Sequence, residues 1–588
     1  MRPRILVTSF AAGPHPRRLP ALAHARAANP SDFLLLRQRQ RGPVARRSWL
    51  LAISLLILGT VSVANGPKFY PDDPIWRDPE TQDASVLKEL PISEQYDFVE
   101  NSFFGAGDES SIRALNVNTV DEVPDSSWFT NRVGRTRWTV DQIVKGPDTG
   151  SGPMGRWTIV GGKDEGIQPG LTMRDATGQL YFVKFDPPSN PEMASGAEVI
   201  STKLFYAFGY HVPENYIATV RREDMIIAEG TTFADDVGRE RTMKPRDLDA
   251  LLKRVARNAD GSYRVLASKA LPGKPLGKFR YHGTRPDDPN DIFPHEHRRE
   301  LRGMVVFAAW LNHDDSRSIN TFDSLVPDGN RQIVRHHLLD FGSTLGSGSV
   351  QAQSTRAGNE FLWERRPTFI TMLTLGLYVR PWIKVEYPDI PSVGRLEADY
   401  FTPSEWKPEY PNPAFRNARP EDHFWAARIV SAIPEDAVAA VVNSIRYTDP
   451  RATEHLIKVI NGRRAKILRE WLNGSNPVVN PALSADGQLT FENAAEAAGV
   501  AASRAERYSI EWSRFDNNSA EHTTVGSEQS VKEARAQAPA ELLSGSPEFV
   551  SAKIRAYHND HPAWSQALVV YFRRAGQHWT LVGLERNP

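Results

Sequence analysis

The sequence contains no cysteine. Disulfides, thiol catalysis, iron–sulfur clusters and cysteine-ligated zinc are therefore excluded. The compartment is not fixed by this absence, because a cysteine-free chain tolerates oxidising and reducing surroundings alike. Net charge is also missing, with 71 basic and 71 acidic residues. The balance hides an asymmetry. Residues 1–65 hold ten Arg, no Lys and a single acid, Asp32, so residues 66–588 carry a net charge of −9. A body of that sign lacks the basic stripe of a nucleic-acid binder and argues against that class. There is no internal repeat and no long low-complexity run. No uncharged apolar stretch reaches the roughly 20 residues of a membrane-spanning helix.

What is present is a globular composition. Hydrophobic residues make up 40% of the 588 and charged residues 24%. At roughly 100–200 residues per domain, the length predicts about three or four domains. Near the amino terminus, Arg46-Arg47 precede the apolar run 49–64, which is 16 residues long and ends in Ser62-Val63-Ala64. This pattern predicts a signal peptide over 44–64, cleaved after Ala64, and export to the periplasm or the extracellular space. The alternative is an uncleaved membrane anchor. Arg46-Arg47-Ser48-Trp49-Leu50 is similar to the start of a twin-arginine signal, with the general secretory route the other option. Residues 1–43, rich in Arg, Ala and Pro, are expected to be an untranslated or disordered extension, with Val44 the start.

Hydrophobic periodicity organises the rest. Residues 65–150 read as an extended segment. Strands are predicted at 157–160, 180–185, 216–220, 225–228, 263–266 and 279–281, and a helix at 192–208 after Pro191. A short helix at 244–256 and a strong one at 296–311 follow. A hairpin pairs 321–325 with 333–339. Residues 360–470 are expected to be mostly helical, with the best helix at 452–472. A linker at 473–477 leads to a β-rich region, 478–588, with strands at 508–512, 551–557, 567–573 and 579–584.

The chemistry-bearing stretch is Asn312-His313-Asp314-Asp315-Ser316-Arg317-Ser318-Ile319-Asn320, which follows a buried helix. Twenty residues after Asn320, Asp340-Phe341-Gly342 ends an apolar strand. An amide oxygen and a carboxylate, Asn320 and Asp340, suit Mg²⁺, a hard cation that prefers oxygen. Asp315 is then left to take a proton from a nucleophilic hydroxyl. Gly342 permits a sharp turn after the metal ligand. Lys184, at the end of its strand, is placed to reach phosphate oxygens, and Glu198 on the next helix to pair with it. Gly161, Gly162, Gly166 and Gly170 offer a glycine-rich loop over phosphates.

These residues resemble the motifs of the protein-kinase-like superfamily. His313, Asp315 and Asn320 match its catalytic loop, Asp340-Phe341-Gly342 its D-F-G, and Lys184 and Glu198 its lysine–glutamate pair, in the family's order. The resemblance spans about 155–470. Export and the missing A-P-E element make it more similar to atypical members: bacterial HipA-type serine kinases, spore-coat CotH and the secretory-pathway kinases of animals. It implies an α+β fold with a two-lobed kinase-like core, a β-rich N-lobe over 151–235 and a helical C-lobe over 236–472, followed by the small β-rich domain over 478–588. It also implies ATP with Mg or Mn. Lys184 would bind phosphates, Glu198 would orient it, Asp315 would be the catalytic base, and Asn320 and Asp340 would hold the metal. The implied function is an exported transferase that phosphorylates a hydroxyl on a protein or small molecule. The alternative is a secreted pseudokinase that acts as a binding scaffold through its C-terminal domain. Membrane contact is expected only through the signal peptide or anchor.

Three departures stand out. Gly161, Gly162, Gly166 and Gly170 do not have the G-x-G-x-x-G spacing, Lys184 and Glu198 are only 14 apart, and Asp314 competes with Asp315. His295-Glu296-His297 and His336-His337 read as structural rather than metal-binding. Adjacent strand positions put His336 and His337 on opposite faces. His313 is expected to orient its loop through a backbone hydrogen bond. Trp310, Trp363, Trp382, Trp406 and Trp425 read as core and groove packing.

Overall fold

The computed structural model describes residues 66–588, apart from 79, 163–167, 235–238 and 588. Residues 1–43 and 44–64, read from sequence as an extension and a signal peptide, and Gly166 lie outside the described residues. Elements run α1 (Glu94–Val99), α2 (Val140–Lys145), β1 (Trp157–Gly162), β2 (Gly170–Arg174), β3 (Leu180–Phe185), α3 (Met193–Phe208), β4 (Asn215–Val220), β5 (Met225–Ile227), β6 (Thr232–Ala234), β7 (Glu240–Thr242), α4 (Pro245–Leu252), β8 (Tyr263–Lys269) and β9 (Lys274–Gly277). Then come α5 (Arg299–Leu311), β10 (Thr321–Asp328), β11 (Arg331–Leu338), α6 (Arg365–Leu373), α7 (Pro420–Ser431), α8 (Glu435–Ser444) and α9 (Pro450–Trp471). The content is mixed α and β.

Strand alternation builds the first sheet. In β3, Tyr181, Val183 and Phe185 are buried, while Phe182 and Lys184 face the other way. The buried set packs with Val265 and Ala267 of β8 and with Leu248 and Leu252 of α4. The sheet order is β4-β8-β3-β2-β1-β5, with β1–β5 the parallel pair. Helix α3 is buried along nearly its whole length and joins the larger core.

Helix α5 is buried all round, which only works because its charges are paired. Arg299 bonds Asp121 at 2.7 Å and Asp422 at 2.9 Å. Gly303 lets α5 approach α7, since a Cβ there would lie 2.8 Å from Trp425. The hairpin β10–β11 pairs Thr321 with Leu338 at its open end and adds β9 on its other edge.

Differences from the sequence reading have local causes. Residues 279–281 form no strand: the Phe279 N–H donates to the Thr321 side chain rather than to a ladder. Strand β9 lies just before them. Within 360–470, residues 385–402 hold no helix, in keeping with Pro388 and Pro391. The stretch read as a linker is packed. Ser475 and Asn476 are fully buried, and Asn476 donates to the Ile554 and Gln566 carbonyls.

Beyond it run β12 (Val478–Leu483), β13 (Gln488–Asn493), β14 (Arg507–Phe515), β15 (His522–Thr524), β16 (Gln529–Val531), β17 (Arg535–Gln537), β18 (Phe549–Tyr557), β19 (Leu568–Ala575) and β20 (His578–Arg586). The core that contains α5 and α7 continues into these strands. The segment before β1 is largely irregular, and its Phe69 inserts among Phe515, Phe549 and Tyr571.

Candidate functional site

Lys184 carries the only charge on β3, and its side chain is 14% exposed. Its ammonium meets Glu198 at 3.1 Å and Asp340 at 2.7 Å. These contacts span 14 and 156 residues of sequence. Glu198 lies within α3, fully enclosed; its second oxygen accepts the Phe341 N–H at 3.1 Å and the Asn215 amide at 3.4 Å. The helix thus fixes the start of the Phe341-Gly342 turn as well as the lysine. Burial alone would lower the Lys184 pKa, but the Asp340 and Glu198 charges outweigh it and hold the ammonium above its usual range. Burial pushes the Glu198 carboxyl up, Lys184 opposes this, and Asp340 adds to the rise. One cation thus faces two carboxylates.

Asp340 adopts left-handed backbone, φ 55°, and its side chain is 46% exposed. The turn is made there and not at Gly342, which corrects the sequence expectation. Gly342 matters for proximity: a Cβ on it would lie 3.0 Å from Glu198 Oε2.

The loop after α5 begins with another left-handed residue, Asn312, whose side-chain Oδ1 accepts the Trp406 indole N–H at 2.9 Å. His313 is buried against Phe205 and Phe341, with ring centroids 5.7 and 5.3 Å away. Its Nδ1 has no hydrogen-bond partner, so the ring holds the loop by packing and not through the expected bond to backbone. Burial pushes its pKa down to about 4, so it is neutral. Asp314 is buried and accepts from Gln353 at 2.5 Å. Burial, then Asp315 and Glu409, push its pKa up to about 8.

Asp315 sits beside Arg317, which also pairs with Glu94 and Glu409, each at 3.0 Å. Burial raises the Asp315 pKa to about 6 against the pull of Arg317. The Asn320 amide donates to the Asp315 carbonyl at 2.8 Å. The Asn320 backbone carbonyl accepts the Leu339 N–H at 2.9 Å. That bond extends the β10–β11 ladder by one step and brings Asn320 next to Asp340. The structure therefore gathers Lys184, Glu198 and Asp340 in direct contact, and joins Asp315 to Asn320 on the adjoining loop.

The glycines stand differently. Gly162 pairs with Leu171, and Gly170 with Lys184, so Gly170 stands on the strand beside the lysine and Gly162 one strand further away. A Cβ on Gly162 would lie 2.6 Å from Phe233, which gives that glycine a packing reason. At Gly161 the nearest atom is 3.7 Å away, so a side chain fits there.

The sequence reading did not single out Arg317, Asn215, Gln353 or Glu409. Arg317 carried a signal, a cation two residues from the base candidate. The others come from distant segments with no motif. Of the histidines, His295 bonds Asp291 at 2.7 Å, His336 bonds Asp323 at 2.7 Å and stacks on Trp128, and His337 bonds Ser324. Among the described residues, no three His, Asp or Glu side chains converge as a metal cluster.

No family model matches the chain, and no curated protein matches it. The chain is similar to solved structures of kinases. One is the proinflammatory kinase CtkA of Helicobacter pylori, at 14% identity and TM-score 0.27, covering 51% of this chain and 91% of that one. Another is the Golgi casein kinase, at 11% identity and TM-score 0.28, covering 69% of this chain and 96% of that one. Overlap this partial carries no argument about activity, which has to come from the residues.

Proposed function

We propose that the chain is an exported atypical kinase, which transfers the γ-phosphoryl of ATP to a hydroxyl of a protein or small molecule. The observation that carries this reading is Lys184 held between Glu198 and Asp340. In it, the six-stranded sheet with α3 forms the nucleotide-side lobe, the helices from α5 to α9 form the second lobe, and 478–588 is an appended β-rich domain.

The donor set fits a hard divalent cation. Asp340 is half exposed, Asn320 is bonded to Leu339, the residue before Asp340, with its amide nitrogen already used, and Lys184 faces two carboxyl groups. When bound, ATP supplies the phosphoryl group and Mg or Mn neutralises its charge. The protein's part is positioning. Lys184 binds phosphate oxygens, Glu198 and its Phe341 N–H contact keep the lysine in place, and Asp315 accepts the acceptor hydroxyl's proton at its carboxylate. Arg317 positions Asp315, and Asn320 fixes that residue's backbone.

A thermal-shift titration with ATP and Mg²⁺ or Mn²⁺ tests the reading. Ligand at 100 times its dissociation constant adds about 2.7 kcal/mol, a rise of a few degrees. The rise should require metal and vanish in Asp340→Ala. A metal-dependent rise without turnover would favour the pseudokinase scaffold, and no rise would remove the nucleotide site altogether.

A further inference from the structure

The most unusual surface lies in residues 362–383. Helix α6 buries none of its nine residues, although it includes Phe369, Ile370, Met372 and Leu373. Isolated helices shorter than about 12–15 residues are marginal in water, so a nine-residue helix with no buried face needs a cover. The apolar surface continues past it, with Leu375 91% and Leu377 83% exposed and Val379 and Ile383 also outside. Trp363, read from sequence as packing, is exposed too, and it meets the exposed Phe103, ring centroids 6.1 Å apart. Phe104 extends the patch.

The segment is held at its base and bare at its tip. Glu360 receives Arg380 and the Trp382 indole, and Glu364 pairs with Lys407 at 2.6 Å. Between these staples, residues 367–379 contain no charged side chain. At the shoulders, the exposed Arg365, Arg366 and Lys384 have no acidic partner among the described residues. An uncharged apolar tip, cations at its rim, and Trp363, Tyr378 and Trp382 near the boundary match the chemistry of an anionic bilayer surface. Nine helical residues span about 13 Å, far short of the roughly 30 Å hydrocarbon core, so the segment lies in the interface and does not cross it. The apolar run at 49–64, if it directs export or anchoring, brings the chain to a membrane in any case.

We infer that residues 363–384 form a membrane-docking element that inserts its apolar tip into an anionic lipid surface. This goes beyond the phosphotransferase reading and does not depend on it. It adds a second membrane contact to the one expected at the amino terminus.

The absence of cysteine makes the test clean. In the full chain, Leu375→Cys is labelled with a polarity-sensitive fluorophore such as NBD, with Glu528→Cys, on an exposed β-rich loop, as control. Vesicles of phosphatidylglycerol and phosphatidylcholine are compared with phosphatidylcholine alone. The account expects a blue shift and a several-fold loss of quenching by aqueous iodide at 375, only with the anionic vesicles, and no change at 528. A tether through the amino terminus alone would leave the probe at 375 in water. Neutralising Arg365, Arg366 and Lys384 to Gln should weaken the response by about two orders of magnitude in affinity, at about 1 kcal/mol per cation, without changing the circular dichroism. An unchanged probe at 375 with anionic vesicles overturns the inference. So does protection that rises with protein concentration in the absence of lipid, which would mean that a second copy covers the patch.

Discussion

Asp314 and Asp315 are neighbours in the chain with different surroundings. Asp314 is closed in under Gln353, whereas Asp315 has Arg317 to hold its charge. If Asp315 is the base, activity should rise with pH through about 6, where its carboxylate forms, and a kcat/KM profile across pH 5–8 checks this. Asp315→Asn should cost about 10²–10⁴ in kcat, the usual worth of a positioned base, with the melting temperature little changed. For Asp314 the folded pKa, about 8, lies above the unfolded value. Its contribution to stability is therefore complete below the unfolded pKa near 4 and is lost as pH rises through about 8. Asp314→Asn should melt higher than the parent at pH 8 and close to it at pH 5. An unchanged pH dependence of melting would contradict the buried, proton-holding role.

At the level of elements, the sequence was most legible where one face is buried and the other is not. Residues 180–185 are an apolar run broken only by Lys184, and the structure has a strand over the same residues, with alternating burial. Helix α3 and the β10–β11 hairpin also fall close to their expected bounds, although α3 is buried along nearly its whole length. Phe279 and Tyr281 misled because they are buried core residues without a ladder. The Lys184–Glu198 pair was legible as spacing, but its third member was not: Asp340 reaches the lysine only because a left-handed turn follows β11. Arg317 escaped notice because a loop pair has no period. Gly342 belongs to this scale as well. Gly342→Ala places a methyl 3.0 Å from Glu198, so it should weaken ATP binding through the displaced glutamate, measured by the same thermal titration. Gly161→Ala, whose added methyl would make only ordinary contact with Thr172, should leave binding nearly unchanged.

At the scale of the whole described chain, the segment before β1 and the C-terminal strands are tied into a continuous structure. Lys68 pairs with Glu585 at 2.8 Å, and Phe69 fills a small aromatic core with Phe515, Phe549 and Tyr571. Phe69→Ala should cost about 3–5 kcal/mol, as for other buried Phe truncations, read from denaturant unfolding. Because one core runs from α5 to β19, the helices and the C-terminal strands should unfold in a single transition, and separate transitions would contradict this. Little of this tying was visible beforehand, since contacts across some 450–500 residues leave no local pattern.

The central claim is that Lys184, Glu198 and Asp340 make a working phosphoryl-transfer site. The most direct test is metal-dependent turnover of ATP by the full chain beside Lys184→Met and Asp340→Ala, with folding of each variant checked by circular dichroism. The account predicts turnover that requires Mg²⁺ or Mn²⁺ and falls by two or more orders of magnitude in both variants. Turnover that survives in both, or none in the parent chain under conditions where nucleotide is bound, would contradict it.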